Sequence, residues 1–167
     1  MRYTKALVLP VGVLVVAPAV ILVLCGSRIF GINFFSPLLQ VLIGLILCVA
    51  GLKVMIVTIK MFASIGEGTL APWDPTIHLV TDGIYSHVRN PMIIGVMVVL
   101  LGETIVFGSL GLVMFVVLVF IANTLYFHYS EEKGLEKRFD GEYLEYMRNV
   151  PMWVPRINPW TKGEKRS

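Results

Sequence analysis

Apolar and polar residues fall into long blocks along this chain rather than into a short repeat. Four apolar blocks stand out: Ala6 to Leu24, Pro37 to Ile59, Pro91 to Phe107 and Leu110 to Phe127. About 20 helical residues cross a hydrocarbon layer of about 30 Å, so each block reads as a membrane helix. The third is slightly short and leans on local thinning or on neighbouring helices. Only Gly108-Ser109 separates the third and fourth blocks, which forces a tight antiparallel hairpin. Beyond the fourth block, Leu135, Phe139, Tyr143 and Met147 recur every four residues with charges between them. That is the pattern of an amphipathic helix, or of two short ones broken at Asp140-Gly141, lying along the membrane surface. The pattern predicts an all-α integral membrane protein of about four transmembrane helices, with spans three and four as a hairpin and a C-terminal amphipathic interfacial helix. A single domain is expected: two spans in 1–62, a loop in 63–90, the hairpin in 91–127, and the interfacial helix and tail in 128–167.

Composition sharpens this reading. With 56% hydrophobic and 15% charged residues, and a mean hydropathy of +0.79, an ordinary soluble domain is excluded. The expected partners are membrane lipids and lipophilic molecules rather than nucleic acid. Arg2 and Lys5 precede span one, Lys60 and Arg89 lie between spans two and three, and further cations follow span four, whereas the opposite side holds only Arg28. By the positive-inside rule both termini and the 63–90 loop face the cytoplasm. The first block follows two cations and contains Ala17-Pro18-Ala19, but its length and the three blocks after it favour a retained helix over a cleaved signal. Cys25 and Cys48 have no ligand spacing and read as packing residues.

The chemistry-bearing residues gather at one face of this topology. In Gly83-Ile84-Tyr85-Ser86-His87-Val88-Arg89-Asn90-Pro91, Asn90 reads as the N-cap and Pro91 as the first residue of span three. A helix N-terminus beside Arg89 is an anion site for a carboxylate or phosphate; the plainer role for Arg89 is a headgroup anchor. The hairpin returns Glu131 and Glu132 to the same face, where two acids at a helix C-terminus oppose the macrodipole and call for a cation. Gly66-Glu67-Gly68-Thr69 could bring backbone N–H groups to a ligand, although such spacing is common in plain loops. Inside the spans lie Lys53 and Glu103, the latter about 18 Å along its helix from Pro91. An acid at that depth faces a partner or a polar cavity, so Glu103 either pairs with Lys53 or serves an acceptor.

The ordered set of Gly66-Glu67-Gly68-Thr69, Leu79 to Tyr85, Arg89-Asn90-Pro91-Met92, Gly102-Glu103, Glu131-Glu132, Phe139, Tyr143, Tyr146, Val150-Pro151 and Pro155-Arg156 resembles the isoprenylcysteine carboxyl methyltransferase and phospholipid methyltransferase superfamily. It departs from many members at Ile93 and Lys133, where they have tyrosine and proline. The resemblance implies S-adenosylmethionine bound at the cytoplasmic side of the hairpin by Gly66, Gly68, His87, Arg89, Asn90, Pro91, Glu131 and Glu132. Such a cofactor offers a carboxylate for Arg89, an ammonium for Glu131 or Glu132, and a base for Tyr85 or His87 to stack against. In-line methyl transfer needs positioning and exclusion of water rather than a metal, with Arg89, Glu103 and Glu131 as the candidate catalytic residues. The implied acceptor is lipophilic. An isoprenylcysteine-like carboxylate is favoured over a phospholipid amine, because a carboxylate needs no general base and Lys53 alone would account for Glu103. Two rival classes remain: a metal site built from His87, His128, Glu131 and Glu132, and a non-catalytic scaffold that uses the hairpin, for instance as a homodimer.

Overall fold

The computed structural model describes residues 8–25, 36–66 and 77–163. Gly68, Trp73, Arg28 and the N-terminal cations Arg2 and Lys5 lie outside the described residues. Helices are the regular elements throughout, and no strand occurs among the described residues. The first helical run, α1, is made of Val8–Val11, a π-helical turn Gly12–Val16 and Ala17–Cys25. Pro18 has no N–H to give the carbonyl four residues back, and a widened turn just before it, closed by the Ala17 N–H on the Gly12 carbonyl, absorbs that loss.

Helix α2 covers Pro37–Ser64; Ser36 caps it by accepting from the Leu39 N–H at 3.4 Å, and Pro37 occupies its first turn. It runs five residues past the expected end at Ile59. A 3₁₀ turn, Gly83–Ser86, leads to α3, Pro91–Phe107. Helix α3 ends on Gly108 in the left-handed region (φ 59°), and α4, Leu110–Tyr126, starts two residues later, as the Gly108-Ser109 break predicts. A second π turn, Phe127–Glu131, carries α4 into α5, Glu132–Asn149. Asp140 in α5 adopts φ 40°, ψ −123°, so the helix is kinked at the expected Asp140-Gly141 break.

Two helical runs are both long and apolar enough to cross a membrane, α2 and the continuous run from Leu110 to Asn149; the helices at Gly12–Cys25 and Pro91–Phe107 are apolar but shorter. Large apolar side chains stand exposed along α2 and α4, among them Ile46, Val49, Met114 and Leu118. In water that surface would be an aggregation hazard, and in a bilayer it is the lipid face.

The tightest packing joins α2 to α3. Gly44 and Gly51 lie two turns apart on α2, and Gly95 and Gly102 lie two turns apart on α3. A Cβ on Gly51 would meet the Gly95 carbonyl at 2.6 Å and Val99 Cγ2 at 2.7 Å, and one on Gly102 would meet the Gly44 carbonyl at 2.6 Å. The helices run antiparallel with backbones in near contact, as small residues permit where no hydrophobic force drives helices together in lipid. Leu14, Met55, Val96, Val99 and Leu100 form the buried cluster beside this seam.

The apolar face of α5 is not left for the membrane surface alone. Tyr143 and Tyr146 on that face, with Val150 and Trp160 of the tail, form a second buried cluster, joined by Leu79, Leu135, Phe139 and Met147. The chain after α5 folds back to cover its own helix. One expected contact is corrected: Lys53 is exposed, Glu103 Oε2 is buried without a hydrogen-bond partner, and no ion pair joins the two. The α2–α3 register explains the separation, since Gly44 and Cys48 pack level with Gly102 while Lys53 lies further along α2.

Candidate functional site

The segment before α3 is stitched to the tail. The Arg89 N–H donates to the Pro151 carbonyl at 2.9 Å, the Arg156 N–H to the His87 carbonyl at 2.9 Å, and the Trp160 N–H to the Ser86 carbonyl at 3.0 Å. His87 Nδ1 lies 2.7 Å from the Arg156 carbonyl oxygen, and the Tyr146 hydroxyl donates to the Tyr85 carbonyl at 2.7 Å. Backbone groups that a loop would give to water are thus satisfied within the protein. The Pro91 side chain is fully buried at the first turn of α3. Asn90 occupies the N-cap position, but its side chain makes no capping bond to α3.

On this frame Arg89 and Glu132 form an ion pair, each side chain 13% exposed. Tyr143 Oη lies 3.4 Å from the same Arg89 nitrogen, and His128 Nδ1 lies 3.7 Å from the other oxygen of Glu132. Burial pushes the Tyr143 phenol up to about 12, with the Arg89 guanidinium opposing the rise and the Glu132 carboxylate adding to it. Burial raises the Tyr146 and Tyr85 phenols as well, so all three rings are neutral donors at ordinary pH. Arg89 Nε is buried and has no hydrogen-bond partner. A guanidinium presents five donors in a fixed fork, so this pair leaves one edge of the fork for another acceptor.

The expected site residues divide. Arg89 and Glu132 come together at the junction of α3 and α5, with Asn90 and Pro91 next to Arg89 in the chain, whereas the His87 ring turns to the tail at the Arg156 carbonyl. Glu131, one residue from Glu132, makes a separate contact with the Tyr126 hydroxyl at 3.3 Å. The acid that joins Arg89 is Glu132, a choice that the sequence left open. The π turn decides it, because one extra residue in the turn rotates the chain that follows by about 100°. Tyr85 is a core residue, 4% exposed, with its ring packed at a tilt against Phe62 at 5.3 Å between centroids, so it is already engaged. His87 instead borders a cavity of about 490 Å³ shared with Asp82, Ser86 and Trp160. Gly66 is buried and accepts from the Ile77 N–H at 2.9 Å, while Gly68 lies outside the described residues. Glu103 stays apart, about 18 Å along α3 from Pro91. Among the described residues no three histidine, cysteine or acidic side chains gather as metal ligands.

Sequence reasoning missed the roles of the tail and of Tyr143 and Tyr146. The aromatic and proline-punctuated run from Val150 to Trp160 was a usable signal, since a solvated tail has little need of Trp153, Pro155 and Trp160.

Helices without strands among the described residues, broad exposed apolar faces and a largely buried arginine–carboxylate pair at one helix end define a class, the helical membrane proteins. The model of the phospholipid methyltransferase family matches residues 39–142, and the chain belongs to that family of membrane methyltransferases. A curated relative is the Protein-S-isoprenylcysteine O-methyltransferase of Schizosaccharomyces pombe (strain 972 / ATCC 24843), 33% identical over 84 residues, which cover 47% of this chain and 34% of that protein. The chain thus matches about a third of that relative's length. No solved structure matches.

Proposed function

We propose that this chain binds S-adenosylmethionine at the Arg89 corner and transfers its methyl group to a lipophilic acceptor. The observation that carries this reading is Arg89, whose buried Nε has no partner while its other face is paired to Glu132. A paired arginine and carboxylate match the two charges of an amino-acid end group: the carboxylate takes the spare fork edge and the N-terminus of α3, and the ammonium takes Glu132. His87, which borders its own cavity and holds the Arg156 carbonyl through Nδ1, is the ring assigned to the base in this reading. The cofactor supplies an activated methyl on a sulfonium; the chain's own residues bind, orient and keep water out.

The membrane arrangement supporting this reading is four spans, with both termini and the Arg89 corner on the cytoplasmic side, as the distribution of lysine and arginine suggests. The acceptor reading is an isoprenylcysteine-like carboxylate, which needs no base. The pairing of Lys53 with Glu103 no longer supports it, but two other observations do: Glu132 is committed to Arg89, and Glu103 lies a helix length from the corner. A phospholipid amine is the second reading. It is favoured by Glu131, whose carboxylate accepts from the Tyr126 hydroxyl and stands outside the Arg89–Glu132 pair, where it can serve as a base.

Calorimetry with S-adenosylmethionine in detergent tests the site. Arg89→Ala and Glu132→Gln each remove a charge-assisted contact worth about 1.5 to 3 kcal/mol, so each is expected to weaken affinity by about 10- to 150-fold. Unchanged affinity in both variants sinks the site. Methyl-labelled cofactor fed to membranes then separates the acceptors: alkali releases methanol from a methyl ester and leaves an N-methyl group in place.

A further inference from the structure

Two N–H donors, Arg89 Nε and the indole Nε1 of Trp153, are buried without an acceptor. The first is accounted for by the cofactor carboxylate. The second has no role in that reading, yet an N–H withdrawn from solvent with no partner costs about 1 to 3 kcal/mol, and phenylalanine would fill most of the space without that cost. Nor does Trp153 belong to the cluster that anchors the tail, which is built on Tyr143, Tyr146, Val150 and Trp160. Its ring lies instead against the end of α4, 5.2 Å from Phe120 and 6.3 Å from Phe127 between centroids. Two residues earlier the Pro151 carbonyl accepts from the Arg89 N–H. The indole is therefore tethered between the start of α3, where Arg89 sits, and the end of α4. Phe120 is 41% exposed, and Val117 and Met114 continue the open apolar face along α4.

Resting on the methyl-transfer reading above, we infer that the Trp153 N–H receives an anionic oxygen of the acceptor's headgroup, while the acceptor's apolar tail lies along the exposed face of α4. Phe120 and Phe127 cover the indole and give way to the incoming tail. Both acceptor chemistries carry such an oxygen apart from the atom that is methylated: the second oxygen of a prenylcysteine carboxylate, or the phosphodiester of an aminophospholipid. An N–H to an anionic oxygen in a water-poor site is about twice as strong as a neutral bond, which is enough to fix the headgroup. Indole suits this boundary because its ring is apolar and its N–H is not. Trp153 is thus an acceptor-binding residue distinct from the cofactor residues.

The test is steady-state methyl transfer by detergent-solubilised full-length protein, with farnesylcysteine in micelles in one arm and phosphatidylethanolamine in mixed micelles in the other. Trp153→Phe is expected to raise the acceptor KM about tenfold, with kcat within twofold and S-adenosylmethionine affinity by calorimetry unchanged. The arm in which KM rises identifies the headgroup. If Trp153→Phe lowers the melting temperature, replacing Trp153 by its benzothienyl isostere removes the N–H and keeps the ring, and the same rise is expected. An unchanged acceptor KM in both arms, or a rise matched by an equal loss of cofactor affinity, overturns the inference. Absence of cofactor binding by the unaltered protein would overturn the methyl-transfer reading itself, and this inference with it.

Discussion

One charged residue lies just before α3 and another toward its far end, and the fold treats them oppositely. At the start, Arg89 is paired with Glu132, approached by Tyr143 and tied through its backbone to Pro151. Toward the other end, Glu103 keeps a buried oxygen with no partner, and Lys53 stands exposed on α2. One helix thus runs between a charge built into a frame and an acid left without a partner. Desolvation explains why the difference matters: a nearly buried charge is tolerated when its partners are fixed around it and costs several kcal/mol when they are not. Position in an apolar block therefore does not mark a site; the partners supplied by distant segments do. Between the two runs the glycine seam with α2.

The largest expected effect breaks the paired end. Arg89→Met leaves Glu132 uncompensated and is expected to cost about 3 kcal/mol of stability in detergent. The double variant Arg89→Met with Glu132→Leu removes both charges and should recover most of that loss in the same unfolding measurement. A double variant no more stable than Arg89→Met would mean that the pair does not organise this corner. A smaller effect is expected in the seam. Gly51→Val drives a side chain into the Gly95 carbonyl and Val99 and should cost about 1 to 3 kcal/mol by overpacking. Gly134→Ala, where an added Cβ meets nothing within 4 Å, is the control and should leave the thermal midpoint unchanged or slightly raised. The smallest effect belongs to the lone acid. Glu103→Gln replaces an acid that the fold does not pair, so stability should stay level or rise by up to about 1 kcal/mol, with cofactor affinity unaltered. Loss of cofactor affinity in Glu103→Gln would collapse the contrast and join the two ends in one site.

Much of the architecture was legible because its causes are local or nearly so. Uninterrupted apolar runs define helices in lipid, where each backbone group has to be satisfied within its own segment. Gly108 ends α3 in a left-handed conformation that suits glycine, and Pro91 begins it where a missing N–H does no harm. The glycines at 44, 51, 95 and 102 could have been read too, since paired small residues two turns apart on two helices mark a close crossing. The register at which those helices meet could not, and it is this register that keeps Lys53 from Glu103.

The sequence by itself determined the class of protein, the hairpin and the gathering of Arg89, Asn90 and Pro91 at one helix end, all of which follow from apolar length, turn chemistry and adjacency. Only the tertiary structure decided that Glu132 rather than Glu131 meets Arg89, that Tyr85 is packing, and that the tail closes over the corner with Trp153 beneath α4. The physical reason is angular and long-range. One added residue in a π turn rotates the helix after it by about 100°, and a tail from 60 or more residues away finds its partners through carbonyls and rings that no spacing in the sequence records.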